Sequence, residues 1–186
     1  GTGGDSHQWG LDTALNKDGT WLASTGNGDL GVFEYVNGSW IKRRQYDNSG
    51  RGVAISDDGK VVAAGWVQNQ SQFVRVFSLD ESGANGSNFW GQADIAATPN
   101  YSTYGIHSLD MNGDATKIVV GSPKYGTNSG KVNLWSYDGS SWSRVGSDTV
   151  LYDGSVSNTY RGASVSINNQ SGKIFVFGAP GRDLDT

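Results

Sequence analysis

Val53-Ala54-Ile55-Ser56-Asp57-Asp58-Gly59-Lys60-Val61-Val62-Ala63-Ala64 reads as one β-hairpin. Val53 to Ile55 is a short apolar segment, Ser56 to Gly59 supplies turn residues, and Val61 to Ala64 is an unbroken apolar run. An Asp-Gly pair gives the positive φ that a tight turn needs. A continuous run of β-branched and small apolar residues suits a strand covered on both faces.

Three further copies of this unit lie along the chain. Thr13-Ala14-Leu15 leads through Asn16-Lys17-Asp18-Gly19 to Trp21-Leu22-Ala23. Ser108-Leu109-Asp110-Met111 leads through Asn112-Gly113-Asp114 to Ile118-Val119-Val120. Ser164-Val165-Ser166-Ile167 leads through Asn168 to Gly172 into Ile174-Phe175-Val176-Phe177. A glycine precedes each unit, at Gly10, Gly50, Gly105 and Gly162. The first segments end at Leu15, Ile55, Met111 and Ile167, which are 40, 56 and 56 residues apart. A fixed period of this order marks a repeat architecture.

The first three units continue with a third strand, at Gly31 to Tyr35, Val74 to Phe77 and Lys131 to Trp135. A second turn follows, and Trp40, Trp90 and Trp142 each open a more polar fourth strand. Their common register predicts that these tryptophans pack between neighbouring sheets. Four strands joined by hairpins form a sheet too small to bury both faces, so neighbours must stack on it. Radial stacking of such sheets is a β-propeller. The predicted fold is therefore all-β, one domain over residues 1–186, with blades at about 1–47, 48–103, 104–157 and 158–186. The last is incomplete, giving about three and a half blades. A closed ring has typically about 4–8, so further chain or another subunit is expected to complete it. A stacked β-sandwich or an open solenoid is the alternative.

Composition agrees. Glycine is abundant (28 residues), aromatics make up 11% with 7 Trp, and only 17% of residues are charged, the reverse of a disordered chain. The net charge of -4, with no basic run longer than Lys42-Arg43-Arg44, argues against a nucleic-acid surface. No apolar stretch has the length of a membrane span, so no membrane insertion is expected. Gly1-Thr2-Gly3-Gly4 does not read as a secretory leader and fits the start of a mature or excised segment. With no cysteine, disulfides and thiol catalysis are excluded. Glycosylation sequons at Asn37, Asn69, Asn85, Asn100 and Asn169 fit a secreted protein.

Phe177-Gly178-Ala179-Pro180 in the fourth unit, and Gly121-Ser122-Pro123 followed by Ser129-Gly130-Lys131-Val132 in the third, resemble the FG-GAP repeat of integrin-α-type β-propellers. The likeness is degraded in the first two units, where Ser24-Thr25-Gly26 and Ala64-Gly65-Trp66 hold the corresponding place. It implies an extracellular or surface location and a role in adhesion or lectin-like recognition. It also implies Ca²⁺ in an Asp-x-Asp/Asn-x-Asp loop after the first strand. Asp110, Asn112 and Asp114 match that spacing, and alternate oxygens of this kind suit a hard cation. Ala115 and Lys117 depart from the pattern, and an ordinary hairpin turn is the competing reading. The terminal Asp183 and Asp185 are a second acidic pair.

Propellers commonly bind partners through loops on one face. The residues leading into the inner strands are Trp9, Arg51, Tyr104, His107, Tyr160 and Arg161. Aromatic faces stack on sugars and arginine donates paired hydrogen bonds, so these six are the expected protein- or glycan-binding residues. Packing between blades is the alternative for them. The stretch from Asp80 to Ser102 departs furthest from the repeat and is a candidate interaction loop.

Signs of catalysis are lacking. His7 and His107 are the two histidines, neither in a metal-binding pair, and there is no Gly-x-Ser-x-Gly elbow. Asn16 to Trp21 lacks the spacing of a sialidase turn. The expected function is non-catalytic recognition of a protein or glycan. The alternative is a structural part of a surface assembly, filament or virus particle.

Overall fold

The computed structural model describes residues 10–26, 28–47, 49–68, 71–80, 89–95, 106–146 and 157–181, with backbone only for 49–50, 67–68, 71–72, 80 and 89–95. It contains three four-stranded antiparallel sheets and one two-stranded sheet. The first holds β1 (Asp12–Leu15), β2 (Trp21–Thr25), β3 (Asp29–Val36) and β4 (Ser39–Asp47); the second holds β5 (Ser49–Ile55), β6 (Val61–Gln68), β7 (Ser71–Asp80) and β8 (Phe89–Ile95). The third holds β9 (Ser108–Met111), β10 (Lys117–Ser122), β11 (Lys131–Tyr137) and β12 (Trp142–Arg144); the fourth holds β13 (Val165–Ile167) and β14 (Phe175–Phe177). Each sheet is a meander in chain order. The first strands end at Leu15, Ile55, Met111 and Ile167, the residues at which the repeat places the turn.

These first strands lie side by side in the order β1, β5, β9, β13, so the sheets stack like blades with β1, β5, β9 and β13 innermost. Three apolar layers fill the gaps. Ala23, Leu30 and Val32 of the first sheet meet Val53, Val62 and Phe77 of the second. Ala54, Ala63 and Val76 on the other face of the second sheet meet Leu109, Met111 and Ile118 of the third. Val119 and Val132 meet Ile167, Phe175 and Phe177. The unbroken apolar runs of β6 and β10 are thus covered on both faces, which explains their lack of alternation.

The turns after the inner strands are linked by backbone hydrogen bonds from sheet to sheet. Lys17 N–H donates to Asp57 O (3.3 Å), Asp57 N–H to Gly113 O (2.9 Å), and Gly113 N–H to Asn169 O (2.8 Å). Each of these residues is the second after its strand end, so the repeat aligns equivalent amides around one axis. Carboxylates on the inner strands add to this. Asp12 Oδ2 accepts the Val53 N–H (2.9 Å), and Asp110 Oδ2 accepts the Ile167 N–H (2.9 Å). The turn end of the stacked inner strands is therefore tied by backbone amides, and Asp12 joins the first two sheets at the other end, where the candidate site lies.

The expected packing of the tryptophans between sheets needs correction at Trp40. Trp142 is half-buried against the layer between the second and third sheets, and its partner across the hairpin is Tyr137, 5.2 Å between ring centres. Trp40 makes the same pair with Tyr35, also at 5.2 Å, yet it is exposed. It lies on the face of the first sheet that no described sheet covers, so only the cross-strand pair remains. The side chain of Trp90 lies outside the described residues.

The hairpin between β11 and β12 carries a pH-dependent turn. Asp138 Oδ1 accepts the N–H groups of Ser140 (2.9 Å) and Ser141 (2.8 Å). The Ser141 and Ser140 amides, in that order, hold this carboxyl at about 2, below its ordinary 3.8. A carboxyl whose folded value is depressed stabilises the fold above its unfolded value, and loses that contribution as the pH falls through the folded one. An NMR titration is expected to place the Asp138 midpoint near 2. A midpoint at the ordinary value would mean that the turn is open in solution.

Candidate functional site

At the N-terminal ends of the inner strands, opposite the linked turns, lies a cavity of about 490 Å³. All four sheets contribute to it: Asp12 from the first, Arg51 from the second, His107 and Ser108 at the start of the third, and Ser164 ahead of β13. Leu109 and Val165 supply apolar wall. The cavity lies along the end of the row of inner strands that forms the mouth of a propeller.

Arg51 is exposed at this mouth. Asp12 is half-buried, and both its oxygens are engaged, Oδ1 by the Thr13 N–H (3.0 Å) and Oδ2 by the Val53 N–H. His107 is half-buried, with its backbone N–H bonded to Gly121 O (3.1 Å). Burial first, and then the positive charges of Arg51 and Lys124, hold the His107 pKa below its ordinary 6.5. The imidazole is therefore neutral at pH 7, with one donor and one acceptor nitrogen. Ser108 Oγ donates to Gly162 O (2.8 Å), which ties the third sheet to the segment leading into the fourth.

Of the six residues expected to bind ligand, Arg51 and His107 come together here. Arg161 does not. It is buried where Gly130 and Arg161 form a parallel bridge, so it belongs to the packing between the third and fourth sheets. Tyr160 is half-buried beside it at a positive φ of 52°, its N–H bonded to Asn128 O (2.8 Å). Trp9 and Tyr104 lie outside the described residues, as do Asp183 and Asp185, and so does most of the stretch from Asp80 to Ser102. Asp12, Ser108 and Ser164 were missed by the sequence reading. Their signal was position, one to three residues before or at the start of each inner strand.

The three residues matched to calcium have other partners. Asn112 Oδ1 accepts the Lys117 N–H (2.7 Å), and Asp114 Oδ1 accepts the N–H (3.0 Å) and hydroxyl (2.6 Å) of Thr116. Asp110 faces the fourth sheet, accepting from Ile167 N–H and from Ser166 Oγ (3.0 Å). The Thr116 hydroxyl is the main cause of a lowered Asp114 pKa. The first two sheets repeat the arrangement without any calcium-like spacing. Asn16 Oδ1 accepts the Trp21 N–H (2.8 Å) and Asp18 Oδ1 the Thr20 N–H (3.0 Å); Ser56 Oγ accepts the Val61 N–H (2.9 Å) and Asp58 Oδ1 the Lys60 N–H (2.9 Å). Asn112 and Asp114 thus occupy the places of a hairpin cap common to three sheets. Among the described residues no group of three His, Asp or Glu is placed to hold a metal ion. No described helix is long and apolar enough to cross a membrane.

Stacked four-stranded meanders around an open axis define a β-propeller fold, and solved structures agree. TolB from Acinetobacter baumannii matches with a TM-score of 0.56 and 13% identity, over 89% of this chain and 36% of its own. The Kuenenia stuttgartiensis hydrazine synthase matches with a TM-score of 0.55 and 18% identity, over 91% of this chain and 49% of its own. The chain thus spans about a third to a half of the proteins it resembles. At such identities the likeness concerns the fold alone. No family model and no curated protein sequence matches the chain.

Proposed function

We propose that the chain is a non-catalytic recognition module that binds a protein or glycan partner at the propeller mouth. The observation that carries this reading is the cavity that Asp12, Arg51, His107, Ser108 and Ser164 line with contributions from all four sheets. It presents a cation, a neutral imidazole and hydroxyls. The FG-GAP-like motifs of the third and fourth units support an extracellular or surface setting and kinship with integrin-α-type propellers. A glycan array combined with a pull-down tests the proposal. Enrichment of one ligand class, lost when Arg51 and His107 are both replaced by alanine, is the expected result. Blank outcomes in both assays would sink it.

The open faces favour a second element of the proposal, completion of the ring by further blades. Leu15 is 57% exposed, whereas its equivalents Ile55, Met111 and Ile167 are 8%, 5% and 7% exposed. Tyr35 and Trp40 are exposed on that same face of the first sheet, and Val176 is exposed on the outer face of the fourth. These apolar side chains sit where an inner sheet would have a neighbour. The same faces support the alternative role, a structural part of a surface assembly, filament or virus particle.

A further inference from the structure

We propose that the cavity takes an acidic monosaccharide unit, a sugar ring carrying one carboxylate, with Arg51 gripping the anion. The inference rests on the reading of the mouth as a ligand site and names the ligand class. Arg51 is exposed at the rim and makes no ion pair with a described residue. The acid lining the same cavity, Asp12, is committed to the Thr13 and Val53 amides. A guanidinium left with its planar fork open suits a carboxylate, which it can meet with two parallel hydrogen bonds.

The remaining groups suit a polyol. His107 offers one donor and one acceptor when neutral. Ser108 Oγ spends its proton on Gly162 O and keeps its lone pairs for a ligand hydroxyl. Ser164 is exposed and brings a further hydroxyl. The charge balance selects among anions. Arg51 and Lys124 bring positive charge to His107 and Asp12 brings one negative charge, so the mouth balances a monoanion, whereas a phosphate dianion would leave an excess of negative charge. At about 490 Å³ the cavity is of the size that takes small ligands, roughly 300–1,000 Å³.

The chain should be titrated with galacturonate, galactose, inorganic phosphate and a short acidic peptide. Calorimetry gives affinity, and the His107 ring and Arg51 guanidinium signals report location by NMR. Galacturonate is expected to move both signals and to bind at least about tenfold tighter than galactose, because a charge-assisted bond is added. Arg51→Gln is expected to weaken galacturonate roughly 10- to 100-fold. Lys173→Ala, in the turn at the opposite end of the inner strands, leaves affinity unchanged. Equal binding of galactose and galacturonate, tighter binding of phosphate or peptide, or an Arg51→Gln variant of unaltered affinity overturns the acidic-sugar assignment but keeps the mouth as the site. If no ligand moves the His107 and Arg51 signals, the mouth is not the site, and the functional reading falls with it.

Discussion

Replacing Phe77 by alanine is expected to cost about 3–5 kcal/mol, the range for deleting a buried aromatic ring. Phe77 is 1% exposed in the layer between the first two sheets, directly across from Val62. Its ring stacks on Tyr46 at 4.4 Å and tilts against Trp66 at 5.7 Å, so it joins β7 to a strand of the neighbouring sheet and to β6 of its own. Arg75 extends the group, its guanidinium 4.5 Å from the Trp66 ring. Around a void of this size the second sheet cannot close in, because it is held from its other side by the third sheet and by the linked turns. Phe77→Leu, which keeps most of the volume, is expected to cost far less, under about 1.5 kcal/mol. Urea unfolding of the two variants compares them directly. Near-equal losses would mean that the layer between the first two sheets is not tightly packed in solution.

The strand pattern was legible because it depends on local rules. Apolar runs such as Val61 to Ala64, stopped by Asp-Gly turns, fix where each inner hairpin begins and ends. Face and register across sheets were less legible. Arg51 and Arg161 both precede inner-strand segments, yet one is exposed at the mouth and the other is buried along Gly130. Nothing within either segment separates them, since the difference comes from what the preceding sheet places alongside. Trp40 shows the same limit: its register matches Trp142, but its burial depends on a neighbour. Asp114 was different, for its signal was present in the sequence. The spacing Asn16-x-Asp18, Ser56-x-Asp58 and Asn112-x-Asp114 recurs in three turns, and a metal loop in the third alone would not produce it. The chain of amides through Lys17, Asp57, Gly113 and Asn169 was invisible, because backbone groups carry no residue-specific mark.

The seam between the third and fourth sheets yields the other large effect. Residues 127–130 run alongside residues 158–161, with Asn158 N–H on Thr127 O (3.1 Å), Tyr160 N–H on Asn128 O (2.8 Å) and Arg161 N–H on Ser129 O (3.3 Å). The Thr159 hydroxyl closes on Ser129 O at 2.6 Å. Gly130 sits at the end of this seam with φ of 76°, and a Cβ there would fall on the Arg161 backbone, 2.8 Å from its carbonyl carbon and nearer still to its N and O. Alanine at this position meets two costs. The left-handed conformation costs about 1–2 kcal/mol, and overpacking against a backbone fixed by four hydrogen bonds adds typically about 1–3. Gly130→Ala is therefore expected to lose about 3 kcal/mol or more. Gly139→Ala isolates the first cost, since Gly139 has φ of 98° and open space around its Cα; it is expected to lose about 1–2 kcal/mol. The seam also leads into Ser164 at the cavity. A shifted Arg161 backbone moves that wall, so Gly130→Ala is expected to weaken ligand binding as well, whereas Gly139→Ala is not. Equal stability losses in the two variants would show that the close approach of Gly130 to Arg161 is absent from the folded protein. The fourth sheet would then be held by its apolar layer and by the hydrogen bonds of Asp110, Ser108 and Gly113.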